Sequence, residues 1–260
     1  MIETISIFGG TGRHGVSEPV TRVDLKMGDV VTIVGPTGSG KTTLINDIEL
    51  FADCNTPTGR RILFDGVAAP ADYRDDPSHN PIALITQHTT FLSDLPVGEF
   101  LRTHARIRAT VGHIDDLVAE VLAFANQLTG EPIACDVRMT ELSGGQTRAL
   151  LIADAAIICS TPIVLLDEVE NAGIHRTRAI ELLRHYRKIF VFVTHDPRIA
   201  LLSDYRIVMR AGQMIDVLRT DANEQACAAK VTRLDDVLSH LRDRLRQGLR
   251  LTGEELEVTV

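Results

Sequence analysis

Gly35-Pro36-Thr37-Gly38-Ser39-Gly40-Lys41-Thr42 matches G-x-x-x-x-G-K-[ST], the pattern of a phosphate-binding loop. Before it, Asp29-Val30-Val31-Thr32-Ile33-Val34 reads as a short, β-branched, buried strand. After it, Thr43-Leu44-Ile45-Asn46-Asp47-Ile48-Glu49-Leu50-Phe51 carries apolar residues at helical spacing. The glycines therefore sit where a strand turns into a helix N-terminus. Gly35, Gly38 and Gly40 let the backbone curl round an anion. Successive N–H groups then converge on it, and the helix end adds positive potential. Pro36, Thr37 and Ser39 complete the cradle, and Thr43 follows in the first helical turn. Lys41 would reach β- and γ-phosphates, and the Thr42 hydroxyl would ligate Mg²⁺.

Outward from this loop, further apolar runs read as strands buried on both faces. They are Ile82-Ala83-Leu84-Ile85, Ile163-Val164-Leu165-Leu166 and Ile189-Phe190-Val191-Phe192-Val193. Each gives way to polar residues: Thr86-Gln87, Asp167-Glu168 and Thr194-His195-Asp196. Ligand groups in open α/β sheets gather outside the carboxyl ends of the strands. The phosphate loop, Gln87, Asp167, Glu168 and His195 all fall at such ends. The expected class is α/β: a P-loop NTPase core with a mostly parallel sheet, an antiparallel β edge region and an inserted α-helical subdomain.

Thr4-Ile5-Ser6-Ile7-Phe8 reads as a first strand running into Gly9-Gly10-Thr11-Gly12-Arg13-His14-Gly15. This loop either approaches the phosphate site from its other side or is a flexible turn, and the pattern alone does not choose. Residues 52–81 are turn-rich, with Arg61-Ile62-Leu63-Phe64 and Asp65-Gly66 suggesting a hairpin. Helical spacing dominates residues 91–156, for example at Ile114, Leu117, Val118, Val121, Leu122, Ala125 and Leu128. Two edge strands are expected around Ala211-Gly212. In the tail, Leu234, Val237, Leu238, Leu241, Leu245 and Leu249 form one apolar stripe of a basic helix. It reads as a helix docked on its own core with a solvated charged face, or as a partner contact. The expected organisation is an α/β core over 1–90 and 157–220, a helical subdomain over 91–156 and a helical tail over 221–260.

The strand-end acids differ in role. Asp167 suits a Mg²⁺ contact through water, and Glu168 suits a general base that polarises the attacking water. His195, ahead of Asp196-Pro197 at a helix start, is positioned to contact a γ-phosphate and hold that water. Leu142-Ser143-Gly144-Gly145-Gln146 is a second glycine-rich stretch at a helix start, suited to a γ-phosphate. An inserted subdomain holds this stretch away from its own phosphate loop, which suggests a site completed by a second copy of the chain.

Composition narrows the class. At 260 residues with a net charge of −8, broad nucleic-acid binding is disfavoured. No run of about 18 apolar residues occurs, and no basic segment followed by an apolar run opens the chain. A membrane role then needs a separate partner chain. Cys54, Cys135, Cys159 and Cys227 are far apart with no C-x-x-C pair, so buried reduced thiols are expected rather than a zinc or redox motif.

Taken together, the phosphate loop, Gln87, the 142–146 stretch, Asp167-Glu168 and His195 resemble, in that order, the ABC ATPase nucleotide-binding domain. The resemblance covers roughly residues 1–217. It implies a Mg²⁺-dependent ATP hydrolase acting as a homodimer through an ATP sandwich. The phosphate loop of one copy would face Leu142, Ser143, Gly144, Gly145 and Gln146 of the other. Gln87 would ligate the Mg²⁺ and couple its site to the helical subdomain, with Lys41, Gln87, Glu168 and His195 as the catalytic set. Three departures stand out. Arg13 and His14 occupy the region where the family stacks an aromatic on adenine. Val169-Glu170-Asn171-Ala172-Gly173-Ile174-His175 replaces the usual Pro-initiated loop. The segment from Glu168 to His195 is short. The first expectation for the driven process is transport, with a separate membrane-domain chain as partner. The runner-up is a soluble ABC ATPase that remodels a soluble client protein, as in metallocofactor assembly or enzyme reactivation. A cytoplasmic location, peripheral on the inner face of the membrane for a transporter, is expected.

Overall fold

Ile163 and Leu165 pack into one apolar cluster, and their neighbours Val164 and Leu166 into another. The same alternation runs through Ile189, Val191 and Val193 against Phe190 and Phe192. Strand side chains point alternately to opposite faces, so a strand that is apolar throughout demands cover on both sides. The computed structural model describes residues 2–76, 78–108, 113–167 and 175–251. The chain begins with β1 (Thr4–Phe8), β2 (Arg22–Lys26), β3 (Val30–Val34), α1 (Lys41–Glu49), β4 (Arg61–Phe64) and β5 (Val67–Ala68). It continues through α2 (Asp72–Asp75), β6 (Ile82–Ile85), α3 (Val97–Arg108), α4 (Ile114–Leu128), α5 (Gly144–Ile157), β7 (Ile163–Asp167) and α6 (Arg176–Leu183). It closes with β8 (Ile189–Val193), α7 (Pro197–Leu202), β9 (Tyr205–Arg210), β10 (Gln213–Arg219) and α8 (Ala222–Arg246).

Two sheets form. The larger has the order β10-β9-β3-β8-β7-β6, parallel except for the antiparallel pair β9–β10. The smaller, antiparallel sheet has the order β2-β1-β4-β5. One face of the larger sheet packs with Leu44, Ile45 and Ile48 of α1 and with Ile5, Ile7, Leu25 and Ile62 of the small sheet. The other face packs with Leu101, Val121, Leu128, Leu150, Ile180 and Ile199, drawn from five helices. The apolar faces of α3, α4 and α5 are thus continuous with the sheet rather than closed on themselves.

Local chemistry explains the turns. Asp65 and Gly66 take positive φ between β4 and β5, as a tight hairpin needs. The Asp65 carboxylate accepts from Thr4 N at 2.8 Å, which anchors that turn to β1. Ala211 and Gly212 do the same between β9 and β10. Two expectations need correction. The cysteines are free, but Cys54, Cys135 and Cys227 are exposed and Cys159 is half-buried. The first two lie in loops and Cys227 on the tail helix, where no core covers them. The tail helix α8 buries Ala228 and Leu241, whereas Leu234, Leu238, Leu245 and Leu249 remain exposed. Its stripe is therefore only partly covered by its own core.

Candidate functional site

The phosphate loop hangs between β3 and α1. Gly35 and Gly40 have φ of 152° and 99°. A Cβ on Gly35 would stand 2.3 Å from the Met209 carbonyl, and one on Gly40 would stand 2.9 Å from Gly212 Cα. Only glycine allows this approach of the loop to the β9–β10 turn. Gly212 N donates to Ser39 O at 2.8 Å across the same contact. Lys41 is buried, and its ammonium donates to the carbonyls of Gly35 at 3.0 Å and Pro36 at 3.3 Å. Among the described residues it has no carboxylate partner. The Ser39 hydroxyl is also buried, with no hydrogen-bond partner among the described residues. A buried cation held by carbonyls and an orphaned hydroxyl in one glycine cradle suit an incoming polyphosphate. Pro36, Thr37, Gly38, Thr42 and Thr43 are exposed around them.

Sheet register brings the strand-end residues alongside. Asp167 pairs with Val193, and Val193 with Ile33, so β7, β8 and β3 end level. At about 4.8 Å per strand, Asp167 lies about 10 Å across the sheet from the root of the phosphate loop. Ile85 pairs with Leu166, which puts exposed Gln87 at the same edge. His195 is exposed two residues beyond Val193. The next residue, Asp196, caps α7 by accepting from Arg198 N at 2.9 Å. Pro197 occupies the first turn, as its sequence position predicts. Glu168 and residues 169–174 of the unusual loop lie outside the described residues. The last residue of that loop, His175, is described and donates its N–H to Leu128 O.

The second glycine stretch opens α5. Ser143 Oγ accepts from Gln146 N at 3.3 Å, and Ser143 N donates to Gln146 Oε1 at 2.9 Å, a reciprocal cap. Gln146 Nε2 also donates to the carbonyls of Glu131 and Pro132. Among the described residues, no hydrogen bond joins 142–146 to the chain's own phosphate loop. Ser143 and Gly144 are exposed, leaving the helix end open to another molecule.

One arrangement that the sequence left open is settled, and two others escaped the sequence reading. The loop 9–15 does reach the phosphate loop: Arg13 Nη2 donates to Gly38 O at 2.7 Å, and Arg13 N to Ala211 O. Arg148 Nη2 donates to Gln87 O at 2.5 Å, linking the β6 end to α5. Arg60, fully buried, pairs with Glu18 at 2.6 Å and Asp47 at 2.9 Å, and donates to Gly212 O at 2.8 Å. Burial pulls the Arg60 pKa down, but Glu18 and Asp47 outweigh it and hold the guanidinium above its ordinary value. Glu18 in turn accepts from Gly10 N and Met214 N. One buried cation thereby ties loop 9–15, α1 and the β9–β10 turn together. The signals available in the sequence were a Glu before Pro19 and a doubled Arg60-Arg61, neither of which is a recognised pattern.

Comparison with known proteins agrees with this geometry. The sequence profile described as ABC transporter matches residues 20–171. An uncharacterized ABC transporter ATP-binding protein of Methanocaldococcus jannaschii is 46% identical over 259 residues, covering all of this chain and 98% of that protein. The spermidine/putrescine import ATP-binding protein PotA of Mannheimia succiniciproducens is 32% identical over 195 residues, covering 72% of this chain and 49% of that protein. Among solved structures, cbiO1 from Clostridium perfringens superposes with a TM-score of 0.61 at 20% identity, covering 95% of this chain and 97% of that one. The ATP-binding cassette MJ0796, solved as a dimer with ADP and Pi, gives 0.61 at 21% identity, covering 84% and 99%. With the loop, the strand-end residues and the capped glycine stretch in this order on this sheet, the chain belongs to the ABC transporter family of ATP-binding cassettes.

Proposed function

We propose that this chain binds and hydrolyses ATP as the nucleotide-binding subunit of an ABC transporter, with the membrane domain on a separate chain. The observation that carries the nucleotide reading is buried Lys41, held by loop carbonyls and without a carboxylate partner among the described residues. Gly35 to Thr43 would wrap the phosphates, with Lys41 on the terminal ones. Thr42, Asp167 and Gln87 would hold Mg²⁺, which supplies charge neutralisation at the phosphates. Glu168 would take a proton from the attacking water, and His195 would orient that water against the γ-phosphate. Ser143, Gly144, Gly145 and Gln146, with Leu142 packing beneath, would close the site of a second copy. The exposure of Ser143 and Gly144 at an open helix end supports this, as does the dimer solved for MJ0796. The division into a core over 1–90 and 157–220, a helical insert over 91–156 and a tail over 221–260 is the organisation this mechanism needs.

The names of the relatives support transport as the driven process. Among the described residues no helix is long and apolar enough to cross a membrane. The working location is then the inner membrane face, approached from the cytoplasm. The test is native mass measurement of complexes formed by Glu168→Gln with ATP, taken from membrane and soluble fractions. A polytopic membrane chain in the complex is expected. A homodimer holding a soluble enzyme instead would overturn transport in favour of client remodelling. For the nucleotide reading, Lys41→Ala should lose ATP affinity in equilibrium binding, and unchanged affinity would overturn it.

A further inference from the structure

Toward the C-terminal end of α5, away from Ser143 at its start, lies a cluster that the nucleotide chemistry does not use. Asp154 is the only acidic residue of α5, and it is buried. Its two carboxylate oxygens face two different partners. Oδ1 lies 2.8 Å from His104 Nδ1 on α3, and Oδ2 lies 3.8 Å from Cys159 Sγ just past the end of α5. These ligand-type atoms of the three residues lie within 4.8 Å of one another. The His104 side chain is 22% exposed and that of Asp154 8%. Phe100 packs beside the imidazole with ring centroids 5.9 Å apart, which holds it in place. Lys188 donates its hydrogen bonds to the carbonyls of Ala155 and Cys159, and it and Arg108 act on the Cys159 thiol only as nearby charges.

We infer that His104, Asp154 and Cys159 form a binding site for one divalent ion of the zinc class. One imidazole nitrogen, one carboxylate and one thiolate are the donor types that a borderline-soft ion selects, and a water would fill the fourth tetrahedral position. Zinc bonds of about 2.0 to 2.3 Å separate tetrahedral ligands by about 3.3 to 3.6 Å. With the carboxylate bound through Oδ1, the Nδ1 to Oδ1 distance would open by about 0.5 Å and Sγ would draw in toward the same oxygen. Without an ion, hydrogen bonds of the imidazole and thiol to one carboxylate hold the same three residues. Burial, then Asp154, push the Cys159 thiol up to about 12, so the ion-free cluster holds a neutral thiol. On binding, a sulfur–metal bond forms as the S–H bond breaks, and that proton leaves to solvent. The Nδ1 proton that bridges His104 to Asp154 Oδ1 shifts through solvent to Nε2, which frees Nδ1 for the ion, and no electrons are transferred. The ion would pin α3 to the connection between α5 and β7, the strand that ends at Asp167.

The inference does not depend on the nucleotide reading. The test uses the full chain, stripped with a chelator and titrated with Zn²⁺ against a chromophoric competitor, then with Co²⁺ alone. One ion per chain is expected, with a thiolate-to-cobalt absorption band. Cys159→Ser should abolish the band and weaken Zn²⁺ binding at least tenfold, whereas exposed Cys227→Ser should change neither. Zn²⁺ should raise the melting temperature of the parent but not of Cys159→Ser, a readout that serves if His104→Ala fails to fold. Substoichiometric binding, a band that survives Cys159→Ser, or equal losses in Cys227→Ser would overturn the site.

Discussion

Arg13 donates from its guanidinium to the carbonyl of Gly38 at 2.7 Å, joining two glycine-rich loops that are 25 residues apart in the chain. The bond puts a second cation at the mouth of the cradle whose inner cation is Lys41. A triphosphate entering there would meet both, and Arg13 would exchange a neutral carbonyl for an anion. Arg13→Ala should therefore weaken ATP binding by about 1 kcal/mol, roughly fivefold in Kd. Arg13→Lys should recover part of that loss. Calorimetric titration with ATP and ADP checks it, and an unchanged Kd in Arg13→Ala would show that the guanidinium only braces the loop.

What could be read in the sequence divides along physical lines. The phosphate loop, β3, β6, β7, β8 and the α7 cap are local patterns, where a few consecutive residues contain the whole reason for the structure. The parallel register that levels Asp167 with Val193 and Ile33 followed from apolar runs that each end in polar residues. The Arg60 network was not legible because its partners, Glu18 and Asp47, lie 42 and 13 residues away, and nothing local marks them as a set. The approach of loop 9–15 to the phosphate loop was one of two open alternatives, because four glycines permit many paths and the Arg13 to Gly38 bond spans 25 residues. Cysteine burial was misjudged because residue type gives an average and not a position. The short helix α2 sits in a turn-rich stretch with no apolar periodicity to announce it. The role read for Glu168 rests on sequence, since that residue lies outside the described ones.

Arg60 carries a stability prediction. Its guanidinium is fully buried between two carboxylates that are themselves almost wholly buried. Replacing it by Leu leaves Glu18 and Asp47 without a counter-charge, and breaking a buried pair in this way costs about 3 to 5 kcal/mol. Urea denaturation of Arg60→Leu should show a loss of this size. A loss below about 1 kcal/mol would mean that water or a shifted side chain compensates the acids.

Arg148 carries a prediction about turnover. Its guanidinium joins the Gln87 carbonyl, at the β6 end, to the helix that begins at Ser143. Among the described residues its hydrogen bonds go to the carbonyls of Gly144 and Gln87, and not to the phosphate loop or Asp167. Arg148→Ala should leave the ATP Kd within about twofold. The kcat should fall about tenfold, because a charge-assisted bond of about 1.5 kcal/mol that aligns the two elements is lost. Steady-state hydrolysis beside equilibrium binding separates the two effects. A raised Kd with normal kcat would place Arg148 in nucleotide binding instead.

Ser39 makes the sharpest prediction because its two effects have opposite signs. Its hydroxyl is buried within the phosphate loop and meets no hydrogen-bond partner among the described residues. An unsatisfied buried polar group costs about 1 to 3 kcal/mol, so removing it should relieve strain rather than create it. Ser39→Ala should therefore hold or raise the denaturation midpoint of the nucleotide-free protein. The same change removes a hydroxyl that a phosphate oxygen would otherwise meet. ATP affinity should fall by about 1 kcal/mol, roughly fivefold. If the free protein is destabilised by more than about 1 kcal/mol, the hydroxyl has a partner in solution, such as bound water. An unchanged ATP Kd would mean that the phosphates bypass Ser39 and rest on backbone N–H groups and Lys41 alone.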